Sequence, residues 1–553
     1  MSISTLDDLV FAAVQVADTG DLFAGNNVAD AGNVIAGGKD ADNITANNFV
    51  PNYNTVSPPA TNSPILPTSN SYAQTDMLVN NIQTPMLLPS DFMDDFFTDQ
   101  SPFVTEQNAV DVGESNKTND IKLILPVSEQ LFNQSPKFVN GLSREFDIVA
   151  IRKDFPILSE HVHGKPLVWF DNGATTQKPF AVIDRLRYFY ERENSNIHRG
   201  AHDLAARATD AYENSREVVR KFLNAASVNE IIFVRGTTEA INLVASAWGK
   251  DNIHAGDEIV ISYLEHHANI VPWQILATET GAVLRVIPVN SDGELLIDNY
   301  TDILRNGKTK LVAVTQVSNA IGTITPTEEI VKLAHQFGAK ILIDGAQSVP
   351  HLPTNVQMLG ADFFVFSGHK IFAPTGIGVL YGKEAILNSM RPYQSGGGMI
   401  ADVTFERTIY NAAPSRFEAG TGNIADAVGL GAALDYVGAI GLAGIRRYEH
   451  GLLEYALGEF NKIASVRIIG NATNRASVIS FVVAGYTTDE INKILAAEGI
   501  AVRAGHHCAQ PILRHFGLES TVRVSLAFYN THEEIDFIVK ILKNLPSKKI
   551  RQD

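Results

Sequence analysis

A single cysteine, Cys508, stands in 553 residues. No intrachain disulfide can form, and no cluster of thiolates for zinc or an iron-sulfur centre can be assembled within one chain. A reducing compartment is the expectation. Charge is also scarce, 19% against the roughly 25% of ordinary soluble domains. Positive charge is outnumbered, with 44 Lys and Arg facing 61 Asp and Glu for a net −17. Such a balance repels nucleic acid and anionic membrane surfaces. No uninterrupted run of about 18 apolar residues occurs. The opening Met1-Ser2-Ile3-Ser4-Thr5-Leu6-Asp7-Asp8 has neither the positive start of a secretory signal nor the arginines of a transit peptide. These absences predict a cytoplasmic protein with no nucleic-acid or membrane partner. What is present is 45% hydrophobic residues, ample for a large core, over a length that suggests three to four domains at about 150 residues each.

The acidity is unevenly placed. Residues 1–144 hold 17 Asp and Glu against 5 Lys and Arg, so −12 of the net −17 lies there. This stretch is rich in Asn, Asp, Ser, Thr and Pro and has little apolar periodicity, so it cannot bury enough surface to offset chain entropy. It is expected to be a low-complexity extension, disordered in large part. Two islands interrupt it: residues 6–16, apolar at helical spacing, and residues 86–103, where Phe92, Phe96, Phe97 and Phe103 alternate with Asp91, Asp94, Asp95 and Asp99. The second has the composition of a motif that folds on a partner, though a solvated spacer is the simpler reading.

From about residue 145 the texture changes. Short β-branched runs at 230–234, 258–262, 311–315 and 340–343 alternate with helical periods at 238–248, 269–278 and 327–337. That order predicts parallel strands joined by crossover helices, with ligands at the strands' carboxyl ends. The last hundred residues mix a long helical stretch at 425–456 with strands at 477–483 and 522–527. A closing helix is announced by the capping spelling Thr531-His532-Glu533-Glu534. The expected division is a large α/β domain over 145–410, whose N-terminal segment contributes to the small domain, with 411–553 mainly the smaller α+β domain.

Several residues could carry chemistry. Lys370 follows the apolar run 362–366 in Ser367-Gly368-His369-Lys370, where a desolvated amine could lose its proton and attack a carbonyl. A solvated turn lysine is the commoner fate. Asp344 ends the run 340–343, where a carboxylate could keep the ring nitrogen of pyridoxal phosphate protonated; an isolated Asp there is more often a cap. Gly236-Thr237-Thr238 lies between strand and helix and could cradle a phosphate on backbone N–H groups and hydroxyls, or be a plain N-cap. After Glu265, one imidazole of His266-His267 could lie over an aromatic ring. Adjacent histidines diverge, and without a His-Glu-x-x-His spacing no metal site is expected. Arg503-Ala504-Gly505-His506-His507-Cys508-Ala509 sets the only thiol in a loop whose cations favour the thiolate. A free cysteine is otherwise a small buried hydrophobe.

At these residues the sequence resembles the SufS-type (group II) cysteine desulfurases, fold-type I pyridoxal-phosphate enzymes related to the class V aminotransferases. The resemblance spans about residues 146–545. It rests on Asn196-Ile197-His198-Arg199-Gly200, Phe233-Val234-Arg235-Gly236-Thr237-Thr238-Glu239, Glu265-His266-His267-Ala268-Asn269, Val317-Ser318-Asn319, Asp344-Gly345-Ala346-Gln347, Ser367-Gly368-His369-Lys370, Arg416-Phe417-Glu418-Ala419-Gly420-Thr421 and the segment from Arg503 to Cys508. It implies a large domain on a mostly parallel seven-stranded sheet and a small α+β domain. Lys370 would carry pyridoxal 5'-phosphate and move protons at the substrate's α-carbon. Asp344 would pair with the ring nitrogen, His266 would stack on the ring and Gln347 would approach its phenolic oxygen. Thr238, Ser367 and His369 would hold the phosphate, joined by Thr421 of the partner subunit in a homodimer. Asn319, Arg199, Arg503 and Arg523 would position L-cysteine.

Cys508 would take the substrate's sulfur as a persulfide and leave alanine. A mobile loop would then deliver the sulfur to an acceptor of the SufE or SufU type, for iron-sulfur assembly on a scaffold. Two positions depart from the family pattern: Ala504 stands where Thr is common, and Gly422 where Pro is common, which loosens the backbone presenting Thr421. The rival expectations are a lyase for L-selenocysteine, an aminotransferase, for which Cys508 has no use, and a non-catalytic scaffold working through its acidic extension.

Overall fold

Runs such as Ile231-Ile232-Phe233-Val234 and Phe363-Phe364-Val365-Phe366 are buried along their whole length, the pattern of strands covered by helices on both faces. The computed structural model describes residues 146–198, 200 and 202–548. The predicted extension and Arg199 lie outside the described residues.

Seven strands, β1 (Ile231–Val234), β2 (Glu258–Ser262), β3 (Val283–Ile287), β4 (Thr309–Thr315), β5 (Lys340–Asp344), β6 (Phe363–Ser367) and β7 (Gly378–Gly382), form one sheet in the order β1-β7-β6-β5-β4-β2-β3. All neighbours are parallel except β7, which runs antiparallel to both β1 and β6. The chain can reverse into β7 because Gly378 has no side chain: a Cβ there would lie 2.6 Å from Gly236 Cα and from the Phe366 carbonyl oxygen. Helices α1 (Phe180–Arg192) and α2 (Asp203–Leu223) precede the sheet, α3 (Thr237–Val244) follows β1, α4 (Val271–Thr280) follows β2, and α5 (Thr327–Gln336) joins β4 to β5.

The helical stretch predicted as one is two, α6 (Ile424–Ile440) and α7 (Leu442–Phe460), bent by 74°. Gly441 between them sits at φ 91°, a conformation that ends the helix and that glycine adopts without Cβ strain. Helix α6 packs against α1 and α2. A second, antiparallel sheet follows, β8 (Val466–Ile469), β9 (Val478–Val483), β10 (Arg503–Gly505) and β11 (Thr521–Ser525), in the order β8-β9-β11-β10. Its face is covered by α7, α8 (Thr488–Ala497) and α9 (His532–Lys543). The predicted capping box opens α9: Thr531 Oγ1 accepts the Glu534 amide at 3.3 Å, and Glu534 Oε2 accepts the Thr531 amide at 3.2 Å.

A buried Asp362 and a partly buried Glu418 stitch these parts. Asp362, just ahead of β6, accepts His335 Nε2 and Lys383 Nζ, each at 2.9 Å, and the Ile341 amide at 3.0 Å. Glu418, inside the Arg416 to Thr421 motif, accepts Arg216 Nη1 at 2.7 Å, the Phe233 amide at 2.8 Å and the Tyr212 hydroxyl at 3.0 Å, joining that motif to α2 and β1. Among the described residues no single helix is long and apolar enough to cross a membrane.

Candidate active site

The carboxyl ends of β1, β2, β4, β5 and β6 open on one cavity of about 240 Å³. Eleven of the thirteen residues singled out from the sequence line it: Thr238, His266, Asn319, Asp344, Gln347, Ser367, His369, Lys370, Arg503, Cys508 and Arg523. Thr421 is exposed and does not line this cavity. The expectation for it concerned a partner's cavity, and Arg199 is not described.

Lys370 follows directly on β6 in a short 3-10 turn. Burial lowers its ammonium to about 8, opposed by the Asp344 charge and reinforced by Arg523 and Arg503. Asp344, at the end of β5, is buried, and burial raises its carboxyl above the ordinary range against the Ala346 amide that donates to Oδ1 at 2.9 Å. His266 is kept neutral: burial and then the Lys370 charge push it down to about 3. Its Nδ1 accepts the Ala268 amide at 3.0 Å, so Nε2 carries the proton. His369 is lowered to about 4, again by burial first. Helix α3 begins at Thr237, whose amide donates to Ser367 Oγ at 2.9 Å, so the helix start and the end of β6 form one hydroxyl-rich corner.

The opposite wall comes from the second sheet. Arg503 belongs to strand β10 and not to the loop expected from the sequence, because 503–505 pair with β11 and set Arg503 directly across from Arg523. Arg523 is fully buried. Its Nη1 donates to the Asn319 carbonyl at 2.9 Å and its Nη2 to Asp171 Oδ1 at 3.0 Å. Gly173 lets the backbone approach this guanidinium, since a Cβ there would lie 3.0 Å from Arg523 Cζ.

Cys508 is half-buried, with Arg503 Nη2 3.9 Å from Sγ. His507 and Cys508 both hold left-handed backbone, φ 52° and 54°, which costs a non-glycine residue about 1 kcal/mol or more. The turn is pinned by Asn319 Nδ2 donating to the His507 carbonyl at 2.7 Å and by the His267 amide donating to the Cys508 carbonyl at 2.8 Å. Burial pushes the His507 ring down to about 2, and its Nε2 meets Thr521 Oγ1 at 2.8 Å.

Some residues at the site carry no signal in the sequence. Asp171 and Gly173 reach it because Asp171 bridges to Ser525. Thr315 ends a strand, and only its three-dimensional partners mark it out; Glu265 stands in the motif before His266, with no role read from the sequence.

The set fits pyridoxal phosphate. A buried amine of lowered basicity, a buried carboxyl and a corner of hydroxyls at a helix start converge on one cavity. Three buried polar atoms around it, Asn319 Oδ1, His507 Nδ1 and Arg523 Nε, have no protein partner. The sheet order and this convergence define the fold-type I pyridoxal-phosphate architecture, with its larger and smaller α/β parts. Residues 168–538 match the family Aminotransferase class-V, and the chain belongs to that family.

A probable cysteine desulfurase 1 of Mycobacterium leprae (strain TN) is 64% identical over 400 residues, covering 72% of this chain and 65% of the relative. A cysteine desulfurase of Synechococcus elongatus is also 64% identical over 400 residues, covering 72% of this chain and 64% of its own length. The chain thus spans just under two thirds of these two relatives. The apo structure of a cysteine desulfurase from Thermococcus onnurineus NA1 superposes with a TM-score of 0.68 at 39% identity, over 71% of this chain and 97% of that one.

Proposed function

We propose that this protein is a cysteine desulfurase, converting L-cysteine to L-alanine and leaving the sulfur on Cys508 as a persulfide. The observation that carries the reading is the meeting of Lys370, Asp344 and Cys508 at one cavity. The reaction balances without a further reagent: the substrate's C–S bond becomes C–H while the enzyme thiol is oxidised to the persulfide. When bound, pyridoxal phosphate supplies an electron sink for the substrate's α-carbon.

The protein's own groups do the rest. Lys370 would hold the coenzyme, and its amine, lowered to about 8, would suit moving the proton at the substrate's α-carbon near neutral pH. Asp344 would keep the proton on the ring nitrogen, and the neutral His266 ring would pack on the coenzyme's face. Gln347 would attend its phenolic oxygen. Thr238, Ser367 and His369 would receive the phosphate, with Thr421 of the partner subunit completing that contact in a homodimer. Arg523, Arg503, Asn319 and Arg199 orient the amino acid, Arg523 through its planar fork. Cys508 Sγ attacks the substrate's sulfur.

In this reading residues 145–410 carry the coenzyme and 411–553 the Cys508 loop. The protein works in the cytoplasm, and the sulfur passes to an acceptor of the SufE or SufU type serving an iron-sulfur scaffold. L-Selenocysteine is a secondary substrate of the same pocket. Incubating the holoenzyme with L-cysteine and a thiol reductant tests the reading: alanine and sulfide are expected in equal amounts, and sulfide release with pyruvate instead of alanine would refute it.

A further inference from the structure

Glu265 is a fully buried carboxyl to which the proposed chemistry gives no part. It lies in the turn after β2, one residue before His266. Its Oε1 accepts the Ser262 hydroxyl at 2.5 Å and the Thr315 amide at 3.0 Å, and its Oε2 accepts Asn269 Nδ2 at 2.6 Å. The partners are themselves fixed. Asn269 Oδ1 takes Trp273 Nε1 at 2.8 Å, and Ser262 Oγ takes the Leu264 amide at 3.1 Å. One carboxyl therefore clasps the end of β2, the approach to α4 and the end of β4.

Those three ends carry the cavity wall. His266 and Thr315 line it, and Thr315 stands in register with Asp344 across the β4–β5 pair. The clasp is also a costly one. Burial pushes the Glu265 carboxyl up to about 8 against the three hydrogen bonds, and the Asp344 charge adds to the rise. A spacer between strand ends needs no ionisable group, and apolar packing would fill the same volume without that penalty.

We propose that Glu265 is a positioning residue, whose three hydrogen bonds hold His266, Thr315 and Asp344 in place around the cavity. The inference rests on the proposed function for what those residues then do, but the clasp itself is a property of the protein alone. Glutamine cannot reproduce it. The ionised carboxyl receives donors at both oxygens, whereas an amide presents its NH₂ to a donor at every pH and whichever way it turns: Asn269 Nδ2 on one side, the Thr315 amide and Ser262 on the other. Asn269 cannot turn over to help without depriving Trp273 of its acceptor.

The test compares wild type, Glu265→Gln and Ser262→Ala in the full chain. In cofactor-free protein, hydrogen exchange read by mass spectrometry should be about tenfold faster for the peptide containing Thr315 in Glu265→Gln, the consequence of one buried hydrogen bond lost. Titration with pyridoxal phosphate should show affinity about tenfold weaker and a shifted absorbance maximum of the bound coenzyme. Ser262→Ala keeps the Thr315 and Asn269 bonds and should fall between, which preserves the test if Glu265→Gln does not fold. Wild-type exchange at Thr315 together with a wild-type spectrum in Glu265→Gln would overturn the inference, as would a Ser262→Ala protein indistinguishable from wild type. Failure of the wild-type chain itself to take up pyridoxal phosphate would instead sink the proposed function, while the exchange measurement would still decide the clasp.

Discussion

The lowered basicity of Lys370 can be tested through the rate at which cofactor-free protein captures the aldehyde of pyridoxal phosphate, a reaction open only to the free amine. An ordinary lysine at 10.5 is about 3 × 10⁻⁴ free at pH 7, whereas one at about 8 is about one tenth free, a gain of about 300-fold. The Asp344 charge raises Lys370 against the effect of burial, so Asp344→Asn should lower it further. Asparagine keeps the Oδ1 acceptor for the Ala346 amide, which spares the fold. Because one tenth is already free, the gain at pH 7 is capped at about tenfold. The assay is stopped-flow absorbance over about pH 6 to 10, normalised to the coenzyme's reaction with a simple amine. The midpoint should lie near 8 in the wild type and lower in Asp344→Asn. A wild-type midpoint near 10.5, or one that Asp344→Asn leaves unmoved or raises, would refute the electrostatic reasoning.

The remaining predictions concern the second wall and the scaffold. Arg523→Lys loses the planar fork, and KM for L-cysteine should rise about a hundredfold, the equivalent of two charge-assisted hydrogen bonds, with pyridoxal phosphate uptake retained; unchanged KM would remove Arg523 from carboxylate recognition. Asp362→Asn should lower unfolding stability at neutral pH by about 2 kcal/mol, since its amide cannot receive all of Lys383, His335 and the Ile341 amide. Burial works to raise the Asp362 carboxyl, but these partners and the Lys340 charge hold it below 3.8. Its stabilisation is therefore present above the unfolded value and lost as pH falls through the folded one. The gap between the two proteins' denaturant midpoints should be largest at neutral pH and narrow as pH falls below 3.8; a gap that stays constant into acid would contradict that linkage.

Local signals carried most of the fold. Apolar β-branched runs marked the buried strands, because such strands need no alternation when helices cover both faces, and Lys370, Asp344, His266 and Thr238 all sit at or just beyond strand ends. What escaped depended on distant pairing or on a single backbone angle. The helix expected through 425–456 breaks at Gly441, whose positive φ no hydrophobic period announces. Arg503 reads as loop until β11, with Arg523 opposite, supplies its strand partner. Asp171 meets Arg523 across 352 residues of sequence, and Glu265 meets Thr315 across 50, separations at which one sequence offers no spacing to read. The antiparallel β7 was hidden for the same reason, since its place between β1 and β6 depends on glycine contacts formed only in the fold.

The central claim is that the chain's one thiol receives sulfur from L-cysteine. The most direct measurement incubates holoenzyme with L-cysteine in the absence of reductant, traps thiols, and weighs the Cys508 peptide by mass spectrometry alongside an alanine assay. The account predicts a Cys508 peptide heavier by one sulfur atom, alanine in matching amount, and neither product from Cys508→Ser although it still binds the coenzyme. Alanine formed as fast by Cys508→Ser, or a Cys508 peptide of unaltered mass in a wild type that makes alanine, would contradict it.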